Sequence, residues 1–148
     1  MRELMKEMKE IMMAAIFDAF ERMFYVFLEP VGDGCSVYDV GAAIKFSGVI
    51  KGELKIFASE GLAKNMVQNL LGVEEKEIKE QDIEDCFKEA ANIICGNFLG
   101  RLDQTKVFDL TMPLFSRLPN ETMNERDVCR LYFDSDGERF CAVLTLSD

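Results

Sequence analysis

Asp85-Cys-Phe-Lys-Glu89-Ala-Ala-Asn92-Ile-Ile-Cys-Gly96 is the stretch from which this chain is best read. At about 100° per residue, positions 85, 89, 92 and 96 of a helix fall within an arc of roughly 60°. Two acids, a carboxamide and a glycine therefore share one face, while Phe87, Ala91, Ile94 and Phe98 supply the opposite, apolar one. An exposed polar face is ordinary for a surface helix. Two details set this one apart. Asn92 is a poor interior helix residue with no cap to serve, and Gly96 adds a second propensity penalty on the same face. Local rules broken together without a structural return mark functional positions, and a glycine there leaves room for something to approach.

Around that helix the chain has 148 residues, 49% of them hydrophobic, enough for a real core and read as a single domain, 1–148. No apolar run reaches the roughly 18 residues of a membrane span, and the charged opening Met1–Glu10 does not read as a secretory segment. The five cysteines (35, 86, 95, 129 and 141) are odd in number and form no Cys-x-x-Cys pair. That usage fits reduced, buried thiols, and with the rest predicts a soluble cytoplasmic protein.

The net charge of −10 argues against nucleic acid or an anionic membrane as partner. Half of it lies between Glu74 and Glu89, where eight acids face three lysines, a net of −5. Glu74, Glu75 and Glu77 read as a solvated loop ahead of an acidic first helical turn. The run ends on the polar stripe itself, which suits a basic rim on a protein partner.

There is no histidine. Its absence removes Ser-His-Asp and Cys-His triads, the His-Glu-x-x-His site and most histidine–cysteine zinc sites. Glycine-rich phosphate loops are missing too. Chemistry has to run on carboxylates, amides, hydroxyls or thiols, or on groups that a partner brings.

Along the chain, apolar residues from Glu3 to about Leu28 recur at helical spacing and predict one long helix, with Met5, Met8, Met12 and Met23 as core. Pro30 and Gly32-Asp33-Gly34 end it. Strands are expected at about Ser36–Phe46 and Val49–Ala58, where Leu54, Ile56 and Ala58 alternate with Glu53, Lys55 and Phe57. A serine-capped helix follows at Ser59–Leu71, stopped by Gly72, and then the long helix Gln81–Leu102. After a loop carrying Met112-Pro113, with a short strand at Lys106–Thr111, strands at Val128–Phe133 and Arg139–Leu146 close the chain around an Asp134–Gly137 turn. Helix, proline loop and hairpin thus occur twice, about 75 to 80 residues apart. The pattern predicts an α+β fold with two helix-hairpin pseudo-repeats, its two long helices packed on one face of an antiparallel sheet.

The pattern Asp85-x-x-x-Glu89-x-x-Asn92, followed by Gly96, resembles the signature of the CheC/CheX/FliY chemotaxis phosphatases. Its surroundings match as well: Phe46-Ser-Gly48, Lys51-Gly52-Glu-Leu, and Ala63 to Leu71. The resemblance runs from about Ile11 to Leu146 and is greatest to the CheX branch, which has one active motif. In two-site relatives the first long helix carries its own Glu-x-x-Asn. The matching stretch here is read as Phe17-x-x-x-Glu21-x-x-Phe24, where a phenyl ring replaces the amide.

The resemblance implies a phosphatase that hydrolyses the phospho-aspartate of a CheY-type response regulator. It also implies the roles. Asn92 would hold the attacking water in line and Glu89 would pair with a lysine of the regulator. Asp85 would add docking or orientation, and Gly96 would let the partner's backbone close. No cofactor of the chain's own is expected, since the regulator would bring the phosphoryl group and Mg²⁺, and a homodimer is expected as in CheX relatives. Two other readings stay open on the residues: a module that binds the regulator without hydrolysing it, and a small-molecule enzyme using Asp85 and Glu89 as acid and base.

Overall fold

A computed structural model describes residues 2–33, 37–119 and 126–147. Gly34, Cys35 and Ser36, named above in a turn, among the thiols and as a strand start, lie outside the described residues. The elements run α1 (Arg2–Ala19, continued by a π turn at Phe20–Phe24), β1 (Glu29–Val31), β2 (Val40–Ser47), β3 (Lys51–Ala58), α2 (Glu60–Leu71) and α3 (Glu80–Leu102). They continue with β4 (Asp109–Leu110), β5 (Leu114–Arg117), β6 (Asp127–Ser135) and β7 (Glu138–Ser147). The strands form one antiparallel sheet in the order β1-β6-β7-β3-β2, with β4 and β5 both on the outer side of β2.

The two expected repeats are visible in that order, but they exchange edges. β1 of the first repeat pairs with β6 of the second, β5 of the second pairs with β2 of the first, and β3 meets β7 in the middle. Alternation along β3 sends Leu54, Ile56 and Ala58, all fully buried, to the helix-covered face. Phe57 joins Tyr38, Cys141 and Val143 on the reverse face. The Asp136-Gly137 corner has positive φ at both residues, as the two-residue turn of a tight hairpin requires.

The structure departs from expectation in four respects. The first helix ends at Phe24, not Leu28. Its last turn widens so that Phe20 and Phe24 both stay in the core, their rings 5.6 Å apart, and Phe20 packs on Phe140 at 4.8 Å. Tyr25 then turns left-handed, and the Val26 N–H donates to the Phe20 carbonyl at 3.0 Å. Beyond it, Val26 and Leu28 are buried while Tyr25 and Phe27 are exposed, a strand-like period of two. Met8 and Met12 are core, but Met5 and Met23 are exposed.

Two short strands, β1 and β5, were not anticipated. Pro30 sits in β1 opposite Phe133, at a sheet edge where its missing N–H costs nothing. Ser59 is the first boundary residue of α2, but its hydroxyl donates to Glu138 Oε1 at 3.0 Å. The orphan Glu60 N–H at the helix start instead donates to Asp39 Oδ2 at 2.7 Å. Arg117 at the end of β5 binds Glu80 with both nitrogens of its fork and also reaches Glu60. One guanidinium thereby ties the sheet edge to the starts of α2 and α3.

Candidate active site on helix α3

Helix α3 divides as its spacing predicted. Ile83, Cys86, Phe87, Ala90, Ala91, Ile94, Cys95, Phe98 and Leu99 are buried, and Asp85, Glu89, Asn92 and Gly96 are exposed on the other side. The buried half clamps the helix. Phe98 meets Phe46 edge-on at 6.4 Å and Phe87 meets Phe115 at 6.5 Å. The helix starts where the Lys79 N–H donates to Asp82 Oδ2 at 2.9 Å. A stripe on so firmly packed an element has its side chains placed by the scaffold, as a site requires.

Asp85, Glu89 and Asn92, with Lys88, line one side of a groove of about 610 Å³, and Leu110, Thr111, Met112 and Pro113 line the other. Gly96 lies in the adjoining hollow with Gly100 and Asp103, which shares Leu110 with the groove. A Cβ placed on Gly96 would meet nothing within 4 Å. No neighbour in the fold demands that glycine, so its helix penalty has no internal return.

The groove residues differ in how they are engaged. Asp85 accepts a hydrogen bond from Gln81 Nε2 at 2.8 Å, and Lys88 is paired with Glu84 at 3.0 Å. Among the described residues, the side chains of Glu89 and Asn92 make no hydrogen bond or ion pair. These two polar groups are exposed, unspent and one helical turn apart. Thiols do not compete with them: burial pushes Cys86 up to about 12, with the Glu89 charge adding to it, and Cys95 to about 12. Such thiols stay protonated at neutral pH and are inert as nucleophiles. Among the described residues no group of three acids or cysteines is placed to hold a metal ion.

The first helix lacks a second site, but in a different register from the one expected. Sliding α1 by 79 residues, from Met8 to Phe87, lays its buried Met12, Ala15, Ile16 and Ala19 on buried Ala91, Ile94, Cys95 and Phe98. Glu10 and Met13 then stand opposite Glu89 and Asn92. The expected alignment, Phe24 with Asn92, would put a fully buried ring on an exposed amide and exposed Arg22 on buried Ala90. Either way the amide is missing. The loop wall of the groove, Leu110–Pro113, was not recognised from sequence as part of the site, and a methionine beside a proline carries no signal strong enough to find it.

Comparison with known proteins bears on the fold and on the family. No curated protein matches the chain significantly. Among solved structures, the chemotaxis protein CheX from Vibrio vulnificus superposes with a TM-score of 0.82 at 22% identity, covering 95% of this chain and 97% of that one. A CheX from Desulfovibrio desulfuricans gives 0.78 at 19% identity, covering 95% and 99%. The CheX-CheY-BeF3-Mg²⁺ complex from Borrelia burgdorferi gives 0.69 at 21% identity, covering 94% and 97%. These likenesses establish the α+β fold. The family model described as "Chemotaxis phosphatase CheX" matches residues 40–134, which include β2, β3, α2 and the whole of α3 with its stripe. The chain belongs to the CheX family of chemotaxis phosphatases.

Proposed function

We propose that the groove on α3 hydrolyses the phospho-aspartate of a CheY-type response regulator, with Asn92 and Glu89 as the working pair. The observation that carries this is that both side chains are exposed on a firmly packed helix and make no hydrogen bond or ion pair among the described residues. An acyl phosphate is already activated, so its hydrolysis needs positioning and charge stabilisation rather than a new covalent intermediate. Asn92 supplies the positioning. Its amide can donate and accept at once, so it can hold a water with a lone pair aimed at phosphorus. Being neutral, it does not repel the phosphoryl oxygens as a carboxylate would. The water oxygen bonds to phosphorus, the bond to the aspartyl oxygen breaks, and the regulator regains its carboxylate as phosphate departs with the water's protons.

Glu89, one turn away, pairs with a cation of the regulator and sets the distance at which the amide enters. Asp85, oriented by Gln81, strengthens the negative field on the same side. The regulator's Mg²⁺ would neutralise phosphoryl charge. Cytoplasmic action follows from such a partner, and among the described residues no helix is long and apolar enough to cross a membrane. Loss of phosphorylated regulator with and without the protein, alongside a binding measurement, tests the assignment: binding without faster loss would make this a docking module only.

Gly96 gives a separate test of partner approach. Gly96→Ala should raise helix stability by about 1 kcal/mol, since alanine is the better helix former and nothing crowds the site. Gly96→Gln should fold equally well yet weaken regulator binding, because the side chain would fill the space left for the partner's backbone. Calorimetric titration would show this, and undiminished affinity of Gly96→Gln would remove that role.

A homodimer is expected as well. β1 pairs only with Tyr132, Phe133 and Asp134 of β6, so among the described strands the outer edge of Asp127–Leu131 is left open, and an open edge is a ready template for a second copy. The Val128–Phe133 and Lys106–Thr111 segments lie toward opposite ends of the sheet, and each is a candidate interface. Light scattering at micromolar concentrations should report twice the chain mass. A monomer there counts against the dimer.

A further inference from the structure

The groove beside Asn92 has a second wall that hydrolysis does not use. β4 and β5 form a single edge along β2, broken by one extra residue. Leu110 stands opposite Phe46 and Leu114 opposite Ala43, so four steps on the edge match three on β2. Pro113 has no N–H to give the ladder. Thr111 pins the break instead: its N–H donates to the Lys45 carbonyl at 2.9 Å, and its hydroxyl accepts from the Lys45 N–H at 3.0 Å.

A bulge at a sheet edge re-aims the side chain it carries, and bulges are over-represented beside active sites. Here the outcome is Met112, 84% exposed, with Leu110 38% exposed beside it. Thr111 holds the backbone while the long, unbranched methionine side chain stays free to adapt to what it meets.

Resting on the functional reading above, we propose that Met112, with Leu110 and Pro113, is the docking wall for an apolar side chain of the regulator that flanks the cation facing Glu89. The wall and the catalytic pair share one groove. A protein that brings a phosphoryl group to Asn92 therefore lies over Met112. The α3 side carries two acids and the facing side is apolar at Leu110, Met112 and Pro113, so its complement is a cation flanked by an apolar side chain. Lys88, the one cation lining the groove among the described residues, is paired with Glu84 and does not reverse that pattern. The wall then contributes to which regulators are accepted, while the α3 pair does the hydrolysis.

The test titrates a CheY-type regulator of the same organism, loaded with beryllofluoride and Mg²⁺, into wild type and Met112→Ala. Truncating a central apolar anchor should weaken binding about tenfold. The loss should appear in the half-saturating concentration, with the single-turnover rate at saturating protein falling much less than affinity, because the reading above gives Met112 no role in holding water or charge at phosphorus. Val107→Ala, an equally exposed position outside the groove, should bind as wild type. Affinity of Met112→Ala within about twofold of wild type, or an equal loss in Val107→Ala, would overturn the docking wall. Asn92→Ala in the same assay separates the two ideas. If it is inactive while Met112→Ala binds normally, only the wall fails; if it hydrolyses at the wild-type rate, the reading of the stripe fails.

Discussion

Asn92→Ala should leave the protein folded and able to bind phosphorylated regulator, while its phosphatase rate falls on the order of a hundredfold or more. The fold should not suffer. Asn92 is exposed and bonded to nothing among the described residues, and alanine is the better helix former. Binding should persist because Glu89, Asp85 and the groove walls are untouched. In the role proposed for Asn92, the change would remove the group that holds water in line, an interaction realised only on the way to the transition state. Removing Mg²⁺ with a chelator should stop the wild-type reaction too, since the proposed reaction would have the regulator's metal shield phosphoryl charge. Near-normal hydrolysis by Asn92→Ala would leave the stripe as a docking surface.

Glu89→Lys should act on association instead. The side chain is exposed on the stripe and makes no ion pair among the described residues, so thermal stability should move little. Reversing its sign sets like charge against the regulator's cation and should raise the dissociation constant by about tenfold or more. For wild type, added salt should weaken binding, because an acidic surface meeting a basic rim is screened. An unchanged dissociation constant for Glu89→Lys would take this residue out of the interface.

Much of the site was legible because α3 is a long helix with strong contrast between its faces. Nine buried positions at helical spacing fix which side turns outward. The first helix was harder. Met23–Leu28 is an unbroken apolar run, in which a helical period and the strand-like alternation of Val26 and Leu28 look alike. Its end is set by Phe20 and Phe24 both needing the core, a condition that only the packed sheet imposes. β1 and β5 escaped notice because they are three and four residues long and mostly exposed. Ser59 looked like a cap because its type and position suit one, yet its hydroxyl is spent on Glu138 and Arg139, residues remote in sequence.

From sequence alone came the α+β class, the doubled helix-hairpin order, the apolar face of α3 and the Asp85, Glu89, Asn92, Gly96 stripe. Each is a local pattern, written at the period of its own element and readable without knowing its neighbours. The exchange of edge strands between the repeats, the register that matches Glu10 and Met13 to Glu89 and Asn92, and the wall facing them were decided in three dimensions. The wall shows why most plainly. Met112 lies twenty residues beyond Asn92 and joins its groove only because β4 and β5 pair with β2 one step out of register. A register offset is a relation between distant strands, and no single segment of the chain encodes it.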